Sequence, residues 1–178
     1  DLVVLSAGVP DIVAEANGAR SPAAMQAAGR AMADQVRRLV DGGAGRVLVA
    51  NAYDVSKAPQ FRGGALERTA FELTRAFNDA LKVALNGVSG RTVLLVDAEE
   101  YFNRVVNTGG TPFSLNNVET PVCAGSSAGL GATSTTMCTT GSFGGDPAFA
   151  LFYDPLYVTP VGQSLFGEHA FAIARDNW

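Results

Sequence analysis

Short runs of valine and leucine mark the predicted strands of this chain. Three such runs occupy residues 2–7, 47–51 and 92–97. Apolar and polar positions do not alternate within any of them. A continuous apolar run of this length is typical of a strand covered on both faces, as in a parallel sheet. The sequence therefore predicts three buried parallel strands.

Apolar residues at spacings of three and four predict helices between and after these strands. The first helix begins where Ser21 precedes Pro22, and it ends at Gly42-Gly43. Serine caps a helix N-terminus, and proline suits the first helical position. The same spacing predicts further helices at about 66–85, at 98–106 and from 159 through 171. Alternating strands and helices form βαβ units, so the predicted class is α/β, with helices flanking a parallel sheet.

A long segment at about 108–148 lacks periodicity and is rich in Gly, Ser, Thr and Asn. It holds both cysteines, Cys123 and Cys138. A cysteine pair flanking such a loop predicts one disulfide, and hence an exported protein. Two free thiols in a cytosolic protein are the alternative. A zinc site is disfavoured because His169 is the only histidine and no Cys-x-x-Cys pair occurs.

Composition narrows the function classes further. The chain has 178 residues, of which 47% are hydrophobic and 17% charged, and this balance excludes intrinsic disorder. The formal net charge of −4 argues against binding to a nucleic-acid backbone, which needs a basic surface. No apolar run approaches the roughly 18 residues of a membrane span. No pattern predicts a cofactor, and the chain is one domain or part of one.

The segment 125–129 matches the Gly-x-Ser-x-Gly pattern of a nucleophile elbow, with Ser127 at its centre. Asp154 and His169 follow it in the chain order of an α/β-hydrolase triad. The elbow needs a strand before the serine and a helix after it, whereas Gly, Ser and Thr surround Ser127. The sequence therefore favours a chance match here. A lone histidine on a helix is more often a surface or packing residue than a general base, so we expect His169 to be one of these.

Acidic residues cluster at the end of the third predicted strand: Asp97, Glu99 and Glu100. Ligands of open α/β sheets gather beyond the carboxyl ends of the strands, so this position suits a ligand site. Acidic side chains also favour the first turn of a helix. Because a helix is predicted from residue 98, we expect these residues to cap it.

Two turn-like segments complete the set of candidate motifs, namely Gly8-Val9-Pro10-Asp11 and Asp154-Pro155-Leu156-Tyr157. The order of the segments resembles the SGNH/GDSL family of serine esterases and lipases, especially its exported and autotransporter bacterial members. The first segment is similar to the family's Gly-x-Asn-Asp block and the second to its Asp-x-x-His block. The likeness covers essentially the whole chain. It is also carried by Tyr53-Asp54-Val55 with Pro59, Phe77-Asn78-x-x-Leu81, Val96-Asp97 and Phe102-Asn103.

This resemblance implies a flavodoxin-like sheet and a serine ester hydrolase site. It implies that Asp154 orients the catalytic base and that Gly8, Pro10 and Asp11 lie in the oxyanion region. The family's base position is Tyr157, and its oxyanion asparagine is Pro10, which lacks both an amide side chain and an N–H. The family's Gly-Asp-Ser strand has no counterpart here. We therefore expect this chain alone to be inactive.

The resemblance also carries expectations about partners and location. A nucleophile-bearing N-terminal part is expected to pair beside the first strand, either from the same protein or from a partner chain, so that Asp1 is a processed or truncated end. The chain would then be the C-terminal part, 1–178, of one SGNH-like domain that is secreted, periplasmic or at the bacterial cell surface. Its ligand would be an acyl ester or a glycan. The alternative is a non-catalytic binding or structural domain of the same fold.

Overall fold

A computed structural model of the chain describes residues 1–123 and 143–178. Its three strands form one parallel sheet in the order β1-β2-β3, with β1 at Leu2–Ser6, β2 at Arg46–Ala50 and β3 at Val93–Val96. The predicted α/β class with a parallel sheet and flanking helices is confirmed. The helices are α1 (Val9–Asn17), α2 (Pro22–Asp41), α3 (Glu67–Leu85), α4 (Ala98–Asn107) and α5 (Pro160–Asn177), with short 3₁₀ helices at Val55–Lys57 and Thr111–Phe113.

The two faces of the sheet are covered by different helices. Side chains such as Val47 and Val49 point to one face and pack in the main core with α1, α2 and α3. Leu48 and Val96 point to the other face and pack against Ala170 of α5. Helix α4 lies beside α5 in a third cluster, which includes Phe102. Strand β2 is therefore buried on both sides, as its apolar run predicts.

Strand β1 departs from this prediction, because one of its faces is open. Leu2 and Val4 are 53% and 61% exposed, although Val3 and Leu5 on the opposite face pack against the main core. Among the described residues β1 pairs with β2 alone, so it forms an edge of the sheet there. An apolar run indicates that both faces of a strand are hydrophobic, but it does not indicate which helices cover those faces. The expectation of full burial was wrong for this strand.

The open face and free edge of β1 predict self-association of the isolated chain. Unpaired strand edges with apolar side chains are templates for pairing with another molecule. Replacing both Leu2 and Val4 with lysine is expected to raise the monomeric fraction, because like charges then meet at any edge-to-edge contact. The free energy of unfolding is expected to stay within about 1 kcal/mol of wild type, since both side chains are exposed. Size-exclusion chromatography with light scattering, over a range of protein concentrations, measures the effect.

Val83→Lys serves as the matched control for this prediction. Val83 is 75% exposed but lies on α3, away from the sheet edge. An equal rise in monomer for Val83→Lys would point to a general solubility effect and would contradict the edge model.

Helix α5 is capped at its start and packs against the sheet near its end. Thr159 caps α5, because its hydroxyl accepts the N–H of Gly162 at 3.1 Å. At the other end Trp178 packs with the α5 cluster, and the guanidinium of Arg46 lies 5.6 Å from its ring centroid. The indole N–H of Trp178 is buried, and no residue that the structure describes accepts a hydrogen bond from it. The last residue after α5 is thus held at the start of β2.

The described part of the predicted loop is tied to the segment that precedes α5. The N–H groups of Asn116 and Asn117 donate to the carbonyl of Phe149, and that of Leu151 donates to the carbonyl of Asn117. Cys123 is fully buried, and its N–H donates to the carbonyl of Tyr153 at 2.6 Å. Cys138 and the 125–129 motif lie outside the described residues, so the disulfide and the Ser127 hypothesis stay predictions.

Candidate functional site

Gly8 connects β1 to α1 in a conformation that only glycine accommodates here. Its φ is +107°, and a Cβ at this position would lie 2.5 Å from Cε1 of Phe77. The chain then turns directly into α1, whose first turn carries Pro10 and Asp11, both exposed. No side chain caps this N-terminus, and proline supplies no N–H. The predicted oxyanion region therefore lies at the carboxyl edge of the sheet. It has one backbone N–H donor fewer than it would have with a residue other than proline at position 10.

Asp154 lies in a tight turn just before α5, and it organises that turn. Its carboxylate is almost fully buried, and Oδ1 accepts the N–H groups of Leu156 at 2.8 Å and Tyr157 at 2.6 Å. Within the described residues no hydrogen bond reaches its second oxygen, Oδ2. The N–H of Tyr153 donates to the carbonyl of Tyr157 at 2.8 Å and closes the turn. Asp154 is thus a held carboxylate with one oxygen available.

Tyr157 follows Asp154 by three residues and is 52% exposed. A phenol is a weaker general base than an imidazole near neutral pH. No titratable base is hydrogen-bonded to Asp154 in the parts of the chain that the structure describes. The turn therefore presents an orienting carboxylate without a base.

The loop that follows β2 is hydrogen-bonded to the Asp154 turn through two of its residues, Tyr53 and Gln60. The hydroxyl of Tyr53 donates to the carbonyl of Leu156, and the N–H of Gln60 donates to the carbonyl of Pro155 at 2.9 Å. Leu156 itself packs against both large hydrophobic clusters. These contacts bring the predicted Tyr53-Asp54 segment and the Asp154 turn together at one edge of the sheet.

Asp54 is buried next to Tyr53 and caps the 3₁₀ helix that follows. Its Oδ1 accepts the N–H of Ser56 at 3.1 Å and the hydroxyl of Ser56 at 2.6 Å. Its Oδ2 is buried, and within the described part of the chain no group donates a hydrogen bond to it. Burial raises the pKa of the Tyr53 phenol well above its usual range, and the charges of Asp154, Tyr157 and Asp54 add to this effect. Tyr53 therefore stays a neutral hydrogen-bond donor.

A second polar cluster lies where β2 and β3 end, and it holds Asp97. Asp97 caps α4 through the N–H of Glu100 at 3.1 Å, which confirms the predicted cap. Its carboxylate also accepts Nδ2 of Asn51 at 2.9 Å and Nζ of Lys82 at 2.7 Å. Burial acts to raise the pKa of Asp97, but the hydrogen bonds from Lys82, Asn51 and Glu100 outweigh it and lower the pKa. This carboxylate is structural.

Asn51 and Asn78 complete that cluster, although no sequence pattern predicts a structural role for either. The Oδ1 of Asn51 accepts the N–H of Ala98 at 2.6 Å. Asn78 pairs with both backbone groups of Ala52, and its Nδ2 also donates to Oε2 of Glu99 at 3.0 Å. One sequence signal could have identified Asn78: it is a polar residue on an apolar helix face, between Phe77 and Leu81.

His169 is a packing residue, as its isolated position on the last helix suggests. Its ring stacks on Tyr101 with centroids 4.5 Å apart and lies 6.4 Å from Phe166. Burial lowers the pKa of His169, the positive charge of Arg104 lowers it further, and Glu100 partly opposes them. The imidazole therefore belongs to the α4–α5 aromatic cluster, and its ring contacts tie it to that cluster instead of to the Asp154 turn.

The described residues contain neither a cluster of metal-binding side chains nor a helix that could span a membrane. Among residues 1–123 and 143–178, no group of three or more His, Cys, Asp or Glu side chains is arranged to bind a metal ion. None of the helices in those ranges is both long and apolar enough to cross a membrane.

Comparison with known proteins does not assign the chain to a family. No family model matches its sequence, and the search of curated proteins finds no match. The function must therefore be argued from the site itself.

Proposed function

We propose that this chain is part of an SGNH/GDSL-type domain of an exported bacterial protein, and that its ester hydrolase site binds an acyl ester without hydrolysing it. The order of segments in the sequence supports the fold, and the parallel β1-β2-β3 sheet is compatible with it. Export rests on the predicted pairing of Cys123 with Cys138.

The observation that carries the proposal is the Asp154 turn. In a serine hydrolase the third member of the triad is a buried carboxylate that holds the base in the correct orientation. Asp154 has this character, because it is buried, its Oδ1 is held by two N–H groups and its Oδ2 carries no hydrogen bond from the described residues. It lies at the carboxyl edge of the sheet, where ligands of open α/β folds bind.

The absence of hydrolysis follows from the residues around that carboxylate. Tyr157 occupies the position of the base, and a general base contributes typically about 10²–10⁴ to the rate. Pro10 replaces an oxyanion donor, the loss of which costs about 10²–10³ in kcat. Such a site is proposed to bind an ester without activating a nucleophile.

An active ester hydrolase is the second candidate, and the open edge of β1 favours it. No strand in residues 1–123 and 143–178 pairs with the outer edge of β1, and the exposed Leu2 and Val4 leave a face for a helix to cover. A strand that carries a nucleophilic serine would enter the site from this side. In this candidate Gly8 and Val9 contribute backbone N–H groups toward the oxyanion.

Restoring the missing groups separates the two candidates. The test uses the chain together with the nucleophile-bearing N-terminal part that is expected to pair beside β1. There the double variant Tyr157→His, Pro10→Asn is expected to hydrolyse p-nitrophenyl butyrate at least about 100-fold faster than wild type, because it regains a base and an oxyanion donor. Adding Asp154→Asn is expected to abolish the gain. Covalent labelling with a fluorophosphonate probe, followed by peptide mass spectrometry, identifies the nucleophile.

The matched control is Tyr153→His, Pro10→Asn, which adds an imidazole beside Asp154 but outside the base position. Wild-type hydrolysis as fast as that of the double variant would overturn the binding proposal in favour of the active enzyme. No gain in any variant would overturn the SGNH-type assignment, and labelling of Ser127 would move the nucleophile to the 125–129 motif.

A further inference from the structure

The Asp154 turn receives hydrogen bonds from outside itself at two consecutive carbonyls. Those of Pro155 and Leu156 accept from Gln60 and Tyr53, which both belong to the loop after β2. The Leu156 contact joins residues 103 positions apart in the chain. A third bond from outside, from the N–H of Cys123 to the carbonyl of Tyr153 at 2.6 Å, holds the start of the turn. The contacts of Gln60 and Tyr53 therefore fix the turn at its middle residues, Pro155 and Leu156.

The Tyr53 side chain is itself held in one place. Its ring packs edge-on against Phe102 with centroids 5.8 Å apart, and it lies 6.4 Å from the ring of Phe152. Tyr53 also bridges the two large hydrophobic clusters. A rigid ring of this kind places its hydroxyl with little loss of side-chain entropy when the hydrogen bond forms.

We infer that Tyr53 is a positioning residue, whose hydroxyl fixes the orientation of the Asp154–Tyr157 turn and so aims the Asp154 carboxylate at position 157. The inference that Tyr53 holds the turn is independent of the proposed function. Only the role of Asp154 toward a base at position 157 rests on that function. The contact is a neutral one at all physiological pH values, because burial and the nearby acidic groups raise the pKa of the Tyr53 phenol. The hydroxyl donates at all times and does not act as a switch.

The geometry of the turn is measured by a titrating probe placed at position 157. In Tyr157→His the new imidazole is expected to titrate near 7.5 instead of the usual 6.5 or so, because the Asp154 carboxylate favours its charged form. Adding Tyr53→Phe removes one oxygen atom and is expected to return the midpoint at least halfway toward 6.5. Nuclear magnetic resonance of the imidazole follows both titrations in the 178-residue chain.

Amide hydrogen exchange gives a second measurement that does not depend on position 157. In otherwise wild-type protein, Tyr53→Phe is expected to speed exchange of the Leu156 and Tyr157 N–H groups at least tenfold. Both groups donate to Oδ1 of Asp154, so their exchange reports whether the turn keeps its shape. Exchange rates are compared with those of amides in β2, which report global opening.

Two controls distinguish positioning from general stability. Tyr153→Phe removes a phenol hydroxyl from the turn itself, one residue before Asp154, and Val105→Ala lowers global stability from the fully buried face of α4. Neither is expected to change the imidazole midpoint or to speed exchange of the two turn amides relative to β2. An effect of Val105→Ala equal to that of Tyr53→Phe would overturn the inference.

The outcomes also separate this inference from the proposed function. Unchanged exchange and an unchanged imidazole midpoint in Tyr53→Phe would overturn the positioning role. A midpoint near 6.5 in Tyr157→His that Asp154→Asn does not alter would instead contradict the role of Asp154 toward position 157. The exchange measurement would then still decide whether Tyr53 holds the turn.

Discussion

Replacing Gly29 with alanine is expected to destabilise the protein by about 3 kcal/mol or more. Alanine normally favours a helix interior over glycine by about 1 kcal/mol. At this position, however, a Cβ would lie 2.3 Å from the carbonyl oxygen of Phe77 and 3.1 Å from the backbone nitrogen of Leu81. Both contacts are to the backbone of α3, so relief requires the two helices to separate. Denaturant unfolding followed by circular dichroism measures the loss.

Gly167→Ala is the matched control, because Gly167 lies inside α5 and a Cβ there would have no neighbour within 4 Å. This variant is expected to stabilise the protein by about 0.5–1 kcal/mol through helix propensity alone. Equal stability of Gly29→Ala and Gly167→Ala would contradict the close approach of α2 to the backbone of α3 at Gly29.

Asn78→Leu is expected to cost about 3–5 kcal/mol, although leucine has a similar volume and suits a helix. The side chain of Asn78 is fully buried and makes three hydrogen bonds, two to the backbone of Ala52 and one to the Glu99 carboxylate. Leucine would leave the buried N–H and carbonyl of Ala52 unsatisfied, and each orphaned group costs about 1–3 kcal/mol. The change in denaturation midpoint, at constant slope, measures the loss.

Asn86→Leu provides the comparison at an exposed asparagine just beyond the end of the same helix. Its unfolding free energy is expected to stay within about 0.5 kcal/mol of wild type. A small effect at both positions would mean that the Asn78 network does not hold the loop after β2 to α3.

Local chemistry explains which parts of the fold the sequence predicts well. Ser21 caps α2 through the N–H of Ala24 at 3.2 Å, and Thr159 caps α5, as serine or threonine followed by proline indicates. Helix α1 was not predicted, because Gly8 and Pro10 make its start resemble a turn. Its stability comes from burial of Ile12 and other side chains in the main core, which short-range patterns do not reveal.

The candidate site was only partly predictable for a related reason. Asp154 and Tyr157 emerge from a short segment with a recognisable spacing, so one stretch of sequence contains the signal. Tyr53 and Gln60 act on that turn from a segment distant in the chain, with Tyr53 lying 103 residues before Leu156, through a hydroxyl and a backbone N–H. Contacts of this kind have no spacing rule, and only the three-dimensional arrangement reveals them.

The position of Trp178 makes docking of α5 onto the sheet directly observable. It is the only tryptophan in the sequence, and its ring lies in the α5 cluster next to the Arg46 guanidinium at the start of β2. Its intrinsic fluorescence therefore reports a single structural event, whereas circular dichroism averages over all helices. Release of α5 before global unfolding would separate the two signals, and a single cooperative transition would superimpose them.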